Sequence, residues 1–160
     1  NTGAALSPFN AFLILQGIQT LHLRMDRHTE NALHVARYLE GHKNINWVNY
    51  AGLLGSPYYD LAKKYTNSRP SGILSFGIEG GKEAGIKFID SLELVVRLVN
   101  IGDTKSLATH PASTTHSQLD EEDYETAGIT DDMVRISVGI ENKDDIIQDI
   151  EQAIISSQTV

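Results

Sequence analysis

The sequence contains no cysteine, which excludes disulfides, thiolate-held metal and a thiol nucleophile, and is compatible with a reducing cytoplasm. Proline is scarce, with four residues, and thirteen glycines fall well short of a fibrous or disordered composition. Positive charge is also in short supply: 13 Lys and Arg stand against 21 Asp and Glu, a formal charge of −8. An acidic chain repels nucleic acid and anionic membranes, so neither is expected as the main partner. No apolar run has the length needed to cross a bilayer, and no basic start precedes an apolar leader. The opening Asn1-Thr2-Gly3-Ala4-Ala5-Leu6 has no methionine and fits a piece cut from a longer protein. What remains is ordinary for a soluble domain with a core, 160 residues of which 41% are hydrophobic.

Ser7-Pro8 reads as a helix entry, with Ser as N-cap and Pro at the first helical position, where its missing N–H costs nothing. An apolar segment, Phe9 to Leu15, then meets Gly17, a candidate break. Leu21, Met25, His28, Ala32, Val35 and Leu39 recur at steps of four and three, the stripe of a long helix closed by Gly41. From Ile45 the periodicity changes. Strands are expected at Ile45–Tyr50, Ile73–Ile78, Leu94–Ile101 and Val134–Ile140, with helices at Tyr58–Tyr65 and Gly81–Leu92. A last helix starts at Asn142, with Asp144 and Asp145 in the first turn, where they favour the positive helix end. Ile146, Ile147, Ile150, Ala153 and Ile154 make its apolar face. Ser117 with Asp120, and Thr130 before Asp131-Asp132, look like further caps. Much of the acidity is thus helix-terminal, and no loop alternates carboxylates as calcium requires. The expected fold is α+β: a helical lead-in over residues 1–41, then, over 42–160, a roughly four-stranded, mostly antiparallel sheet with helices on one face.

Arg135 is the most informative residue. It interrupts the apolar strand Met133-Val134-Arg135-Ile136-Ser137-Val138-Gly139-Ile140-Glu141, on the face opposite the valines and isoleucines and beside small Ser137 and Gly139. A guanidinium over small neighbours can grip a planar carboxylate through two parallel hydrogen bonds. A strand arginine paired with an acid from a nearby helix is the alternative, and the pattern leaves both open. Leu107-Ala108-Thr109-His110-Pro111-Ala112-Ser113-Thr114-Thr115-His116 gathers four hydroxyls and two imidazoles. It could bind an anion or line a site, or it could be a polar loop bonded to its own backbone. His110 and His116 lack zinc spacing, and His22, His28 and His34 rotate around their helix, so no metal site is expected. Gly77-Ile78-Glu79-Gly80-Gly81 lacks a phosphate-loop pattern and is explained by a tight turn.

Several segments, in order along the chain, resemble one family. Leu6-Ser7-Pro8-Phe9-Asn10-Ala11-Phe12, Gln16-Gly17, Thr20-Leu21-His22-Leu23-Arg24-Met25-Asp26-Arg27-His28 and Asn31-Ala32-Leu33 look like the stretch after the cofactor lysine in the pyridoxal-phosphate (PLP) enzymes of Cys/Met metabolism. Trp47-Val48-Asn49-Tyr50, Val99-Asn100-Ile101-Gly102-Asp103-Thr104-Lys105-Ser106-Leu107, His110 to His116 and Arg135 to Glu141 continue the resemblance. It spans Thr2 to about Ile154 and implies the C-terminal domain of a fold-type I PLP enzyme. By that resemblance Arg135 clamps the substrate α-carboxylate, Asn100 assists, and Thr115 lines the same pocket. Many γ-synthases and lyases of the family carry Ser at the position of Asn100; Asn with the following Gly102 to Leu107 is more like the O-acetylhomoserine sulfhydrylase branch. The implied reaction is γ-replacement of O-acetylhomoserine with sulfide to give homocysteine, with PLP as electron sink, in a cytoplasmic homotetramer. Cystathionine γ-synthase, a methionine or cystathionine γ-lyase, and a non-catalytic amino-acid-binding module are the alternatives. The Schiff-base lysine of this family lies in a Ser-x-Thr-Lys context. None of the seven lysines (43, 63, 64, 82, 87, 105 and 143) has it, so this chain alone is expected to bind no PLP and to be inactive.

Overall fold

The computed structural model describes residue 3, residues 5–115, residue 124 and residues 126–159. Helix α1 (Pro8–Gln19) begins as its sequence dictates: the Ser7 hydroxyl accepts the Asn10 N–H at 3.2 Å, and Pro8 occupies the first turn. The chain does not break at Gly17, which lies inside α1. The break falls at Thr20, whose φ of −107° and ψ of 4° are not helical. An interior glycine costs a helix only about 1 kcal/mol, too little to end it. The Arg24 guanidinium bonds the Gly17 carbonyl at 3.0 Å and the Thr20 hydroxyl, stapling the joint to helix α2 (Leu21–Glu40). Only the second half of the α2 stripe is buried. His28, Ala32, Val35 and Leu39 are at most 2% exposed, whereas Leu21 and Met25 are 44% and 38% exposed.

Five strands, one more than expected, form a single sheet in the order β1-β2-β5-β4-β3. They are β1 (Ile45–Asn49), β2 (Ile73–Ile78), β3 (Val96–Arg97), β4 (Leu107–Thr109) and β5 (Met133–Ser137). All neighbours are antiparallel except β3 and β4. The strand expected over Leu94–Ile101 shrinks to two residues, because the chain leaves the sheet after Arg97 and Leu98, Val99 and Ile101 stay exposed. Strand β4 falls inside the segment read as a polar loop; three residues are too few to show alternation. Thr130-Asp131-Asp132 is not a helix start but the turn into β5, closed by the Met133 N–H on the Thr130 carbonyl at 3.0 Å. Ser117, Asp120 and His116 lie outside the described residues.

Three further helices are α3 (Tyr59–Thr66), α4 (Gly81–Ser91) and α5 (Lys143–Ser157), and a short 3-10 turn spans Pro111–Ser113. Asn142 caps α5 by accepting the Asp144 N–H at 3.0 Å. Gly80 and Gly81 enter α4 with φ of 97° and 64°, two successive left-handed residues that only a glycine pair adopts without strain, so the turn accounts for the glycine run. One face of the sheet, with Leu74, Phe76, Ile78, Val134 and Ile136, packs in a continuous core with Phe88 and Ile89 of α4, Ile146 and Ile150 of α5, and the buried half of α2. Phe76 and Phe88 meet edge to face at 5.7 Å. The opposite face of the central strands carries a row of polar residues between apolar Ile73, Leu107 and Met133.

Candidate functional site

Strand register builds that polar face. Asn49 of β1 lies opposite Ser75 of β2, Ser75 opposite Arg135 of β5, and Arg135 opposite Thr109 of β4. Side chains directly across antiparallel strands point to the same face, so these four form one row. Three of them need the core residues beside them: Val48, Leu74, Phe76, Val134 and Ile136 alternate inward and thereby turn Asn49, Ser75 and Arg135 outward. The row opens into a cleft of about 310 Å³ whose walls include Tyr50, Pro70, Ile73 and Met133.

The Arg135 guanidinium is half-buried, and among the described residues it has no hydrogen-bond acceptor and no carboxylate partner. Arg69 is paired with Asp26 at 2.6 Å and Arg97 with Asp90 at 3.1 Å, whereas Arg37, which also has no partner among the described residues, is exposed. The helix-acid alternative for Arg135 therefore has no support in the described residues. A five-donor fork beside a cleft has the geometry to pair with a planar carboxylate. Tyr50 stands at the rim with its phenol donating to the Ser71 carbonyl at 2.9 Å; burial pushes its pKa well above the usual phenol range, so it stays neutral.

The structure does not bring the other two expected residues onto Arg135 in the same way. Asn100 is exposed, on the segment that joins β3 to β4, and its side-chain oxygen accepts the Ile101 N–H at 2.9 Å. Two residues on, the Gly102 N–H is held at 3.2 Å by the hydroxyl of Ser137, which shares the Arg135 face of β5. Thr115 is exposed at the end of the hydroxyl-rich segment. That segment bonds largely to itself. The Thr109 and Thr114 hydroxyls are 3.1 Å apart, and Thr114 also donates to the His110 carbonyl at 2.8 Å. His110 is 1% exposed. Its Nε2 faces the Asp131 carbonyl at 2.8 Å, which can only accept, so Nε2 carries the proton and Nδ1 accepts from the Ser113 hydroxyl at 2.9 Å. Burial lowers the His110 pKa, an effect larger than the opposing pull of Asp131. His28 is likewise structural, with Nδ1 on the Val138 carbonyl at 2.6 Å. Among the described residues no cluster of three His, Cys, Asp or Glu could hold a metal.

Sequence reasoning passed over Asn49 and Ser75 as site residues. Ser75 was detectable as the polar residue out of phase with Leu74, Phe76 and Ile78. Nothing in the sequence shows that β1 and β5 flank it.

A family model described as Cys/Met metabolism PLP-dependent enzyme matches residues 1–155. The chain belongs to this family. Within the Cys/Met metabolism family it is 56% identical over 153 residues to the O-acetyl-L-homoserine sulfhydrylase of Leptospira meyeri, covering 95% of this chain and 35% of that protein. A 2.35 Å crystal structure of a putative O-acetylhomoserine (thiol)-lyase from Campylobacter jejuni, carrying N'-pyridoxyl-lysine-5'-monophosphate, superposes with a TM-score of 0.89 at 46% identity, covering 98% of this chain and 37% of that one. Cystathionine gamma-lyase from yeast gives 0.92 at 41% identity, with 98% and 40% covered. The chain thus spans a little over a third of the curated relatives it matches. The structural neighbours are fold-type I PLP enzymes, so the expected α+β fold class holds.

Family membership makes PLP the cofactor, yet the described residues do not fit holding it. The cofactor aldehyde needs a lysine amine, and none lines the cleft. Six of the lysines are exposed, and Lys143 of α5 faces the His34 ring at 3.2 Å. What the cleft offers is the Arg135 guanidinium beside Asn49, Ser71 and Ser75, with apolar walls from Pro70, Ile73 and Met133.

Proposed function

We propose that this chain is the C-terminal domain of a PLP-dependent γ-replacement enzyme, its helical lead-in over residues 1–41 and its α+β unit over 42–160. The whole enzyme converts O-acetylhomoserine and sulfide to homocysteine and acetate. The observation that carries the proposal is the half-buried Arg135 guanidinium, partnerless among the described residues and aimed at a cleft. In this reading Arg135 takes the substrate α-carboxylate as a bidentate pair, Asn100 donates an amide N–H to it, and the Thr115 hydroxyl lines the same pocket. The cofactor and its lysine come from elsewhere in the enzyme, and the chain alone is inert. The 47–56% identity to O-acetyl-L-homoserine sulfhydrylases, against 44% to the L-methionine gamma-lyase of Pseudomonas putida, supports replacement over elimination. The absence of cysteine fits a cytoplasmic location, and the exposed apolar surface of α1 fits a homotetramer.

The test uses the full-length polypeptide that contains this chain. With O-acetylhomoserine and sulfide, homocysteine should be the main product, and Arg135→Ala should lower kcat/KM by about two orders of magnitude, as expected when a buried charge-assisted pair loses one member. Wild-type kinetics in that variant would remove Arg135 from the site. Release of ammonia and 2-oxobutyrate in excess of homocysteine would replace the reading with a γ-lyase. For the isolated chain, a Schiff-base absorbance band with PLP that one Lys→Ala change abolishes would show that it holds cofactor after all.

A further inference from the structure

The segment 98–106 leaves β3, carries Asn100 and returns as β4. Its two roots are ordinary ladder bonds, Val96 N–H to the Ser106 carbonyl at 2.9 Å and Leu98 N–H to the Ala108 carbonyl at 3.2 Å. Past these roots the loop is fastened to the chain just after Arg135. The Glu141 carboxylate accepts both the Ser106 N–H, at 2.6 Å, and the Ser106 hydroxyl, at 2.9 Å. That hydroxyl in turn accepts the Gly139 N–H at 2.8 Å, and the Thr104 carbonyl accepts the Ile140 N–H at 2.9 Å. Ser106 is fully buried. The approach is so close that a Cβ on Gly139 would sit 2.5 Å from both the Ser106 nitrogen and the Thr104 oxygen. From the other side, the Asn31 amide of α2 donates to the Gly139 and Glu141 carbonyls at 3.0 and 2.8 Å.

A carboxylate that accepts two bonds from one residue fixes both the distance and the angle of the loop it holds. Helix α2 locks Glu141 to the end of β5, and Glu141 locks the loop to Glu141's own strand end. Asn100 itself is exposed and bonds only within its own loop among the described residues, so its position relative to Arg135 is set by this clamp together with the Gly102 N–H on the Ser137 hydroxyl. We infer that Glu141, acting through Ser106, is a positioning residue for substrate-carboxylate binding: it holds the Asn100 loop in register with Arg135. The inference rests on the proposed reading of Arg135 and Asn100 as the carboxylate partners.

Full-length enzyme variants test it. Glu141→Ala should raise KM for the amino-acid substrate about tenfold while kcat stays within about threefold, because the loop orients the carboxylate and does not touch the reacting carbon. Glu141→Gln keeps one acceptor for the Ser106 N–H and should recover most of the loss. In an Asn100→Ala background, Glu141→Ala should add little further to KM, since both changes remove one contact. Equal losses in kcat and KM terms, full additivity with Asn100→Ala, or an unchanged KM would each overturn the inference. Should Glu141→Ala fail to fold, Ser106→Ala removes the two bonds of the hydroxyl, to Glu141 and from Gly139, keeps the backbone bond to Glu141, and carries the same expectations at smaller size. Unchanged kinetics in Arg135→Ala sink the underlying reading; a damaging Arg135→Ala with additive Glu141→Ala sinks only the clamp.

Discussion

Asp149 of α5 offers the sharpest test of how the fold frames the loop that bears Asn100. Its carboxylate is 6% exposed and accepts four hydrogen bonds: Glu93 N–H at 2.9 Å, Leu94 N–H at 3.0 Å, Val95 N–H at 2.8 Å and the Gln152 amide at 3.0 Å. Three consecutive backbone donors leading into β3 thus close on one side chain. Asp149→Ala strands all of them. The Val95 bond is buried and should cost the full penalty of an unmet donor, about 1–3 kcal/mol. Water can reach the Glu93 and Leu94 donors and the Gln152 amide, so each of these should cost about 0.5–1.5 kcal/mol. A total of roughly 2.5–7.5 kcal/mol follows, which for a chain of this size lowers Tm by roughly 5–30 °C. Asp149→Asn keeps the shape and one acceptor and should fall between. Urea unfolding followed by far-UV circular dichroism measures the midpoint at constant slope. A loss below about 1 kcal/mol in Asp149→Ala would show that the carboxylate does not organise this segment, and the argument from counted bonds would be wrong.

Two further predictions concern stability and surface. His110 has a folded pKa lowered from the usual 6.5 by burial, so the unfolded chain binds the proton more readily. Its contribution should be intact above about pH 6.5 and lost as the pH falls from there toward the lower folded value. Urea midpoints taken from pH 7.5 down to 5 should therefore decline less steeply in His110→Gln than in the natural chain; identical slopes would contradict the neutral, buried assignment. Helix α1 has no buried residue, and Phe12, Leu13, Ile14 and Leu15 are each half or more exposed. Leu13→Glu with Ile14→Glu in the 160-residue chain should cut binding of a hydrophobic dye while leaving the urea midpoint unchanged, because no folded apolar contact is lost. A clear drop in that midpoint would mean that α1 packs more tightly than its exposure indicates.

How far the sequence carried the reading depends on the reach of each pattern. Caps and turns are local, so Ser7, Asn142 and the Gly80-Gly81 turn were legible to within a residue. Arg135 was legible because one charge in an alternating apolar strand has to be on the other face. The break at Thr20 was assigned to Gly17, since a residue's permissiveness says only where a helix could end. Strands β3 and β4 were misjudged for a related reason: their boundaries are set by partners, with Val96 pairing Leu107 and Leu107 pairing Ser137, and three residues carry no period of their own. Asn49 and Ser75 join Arg135 only through the β1–β2–β5 register, which is non-local information. The clamp from Glu141 to Ser106 was invisible for the same reason, although both residues lie in segments that carry the family resemblance.

The strand that bears Arg135 is the last of the five in chain order and the middle one in space. During synthesis β1 and β2 can pair early, and β3 and β4 can pair later, but the two halves share no ladder until residues 133–137 arrive. Until then each half presents a bare strand edge, the kind of surface on which nascent chains aggregate. Closing the sheet and forming the row of Asn49, Ser75, Arg135 and Thr109 are consequently one event. A ribosome pausing before Met133 would leave a chain with neither, exposed to chaperones and proteases, whereas a chain that has completed the ladder has already set its arginine in place.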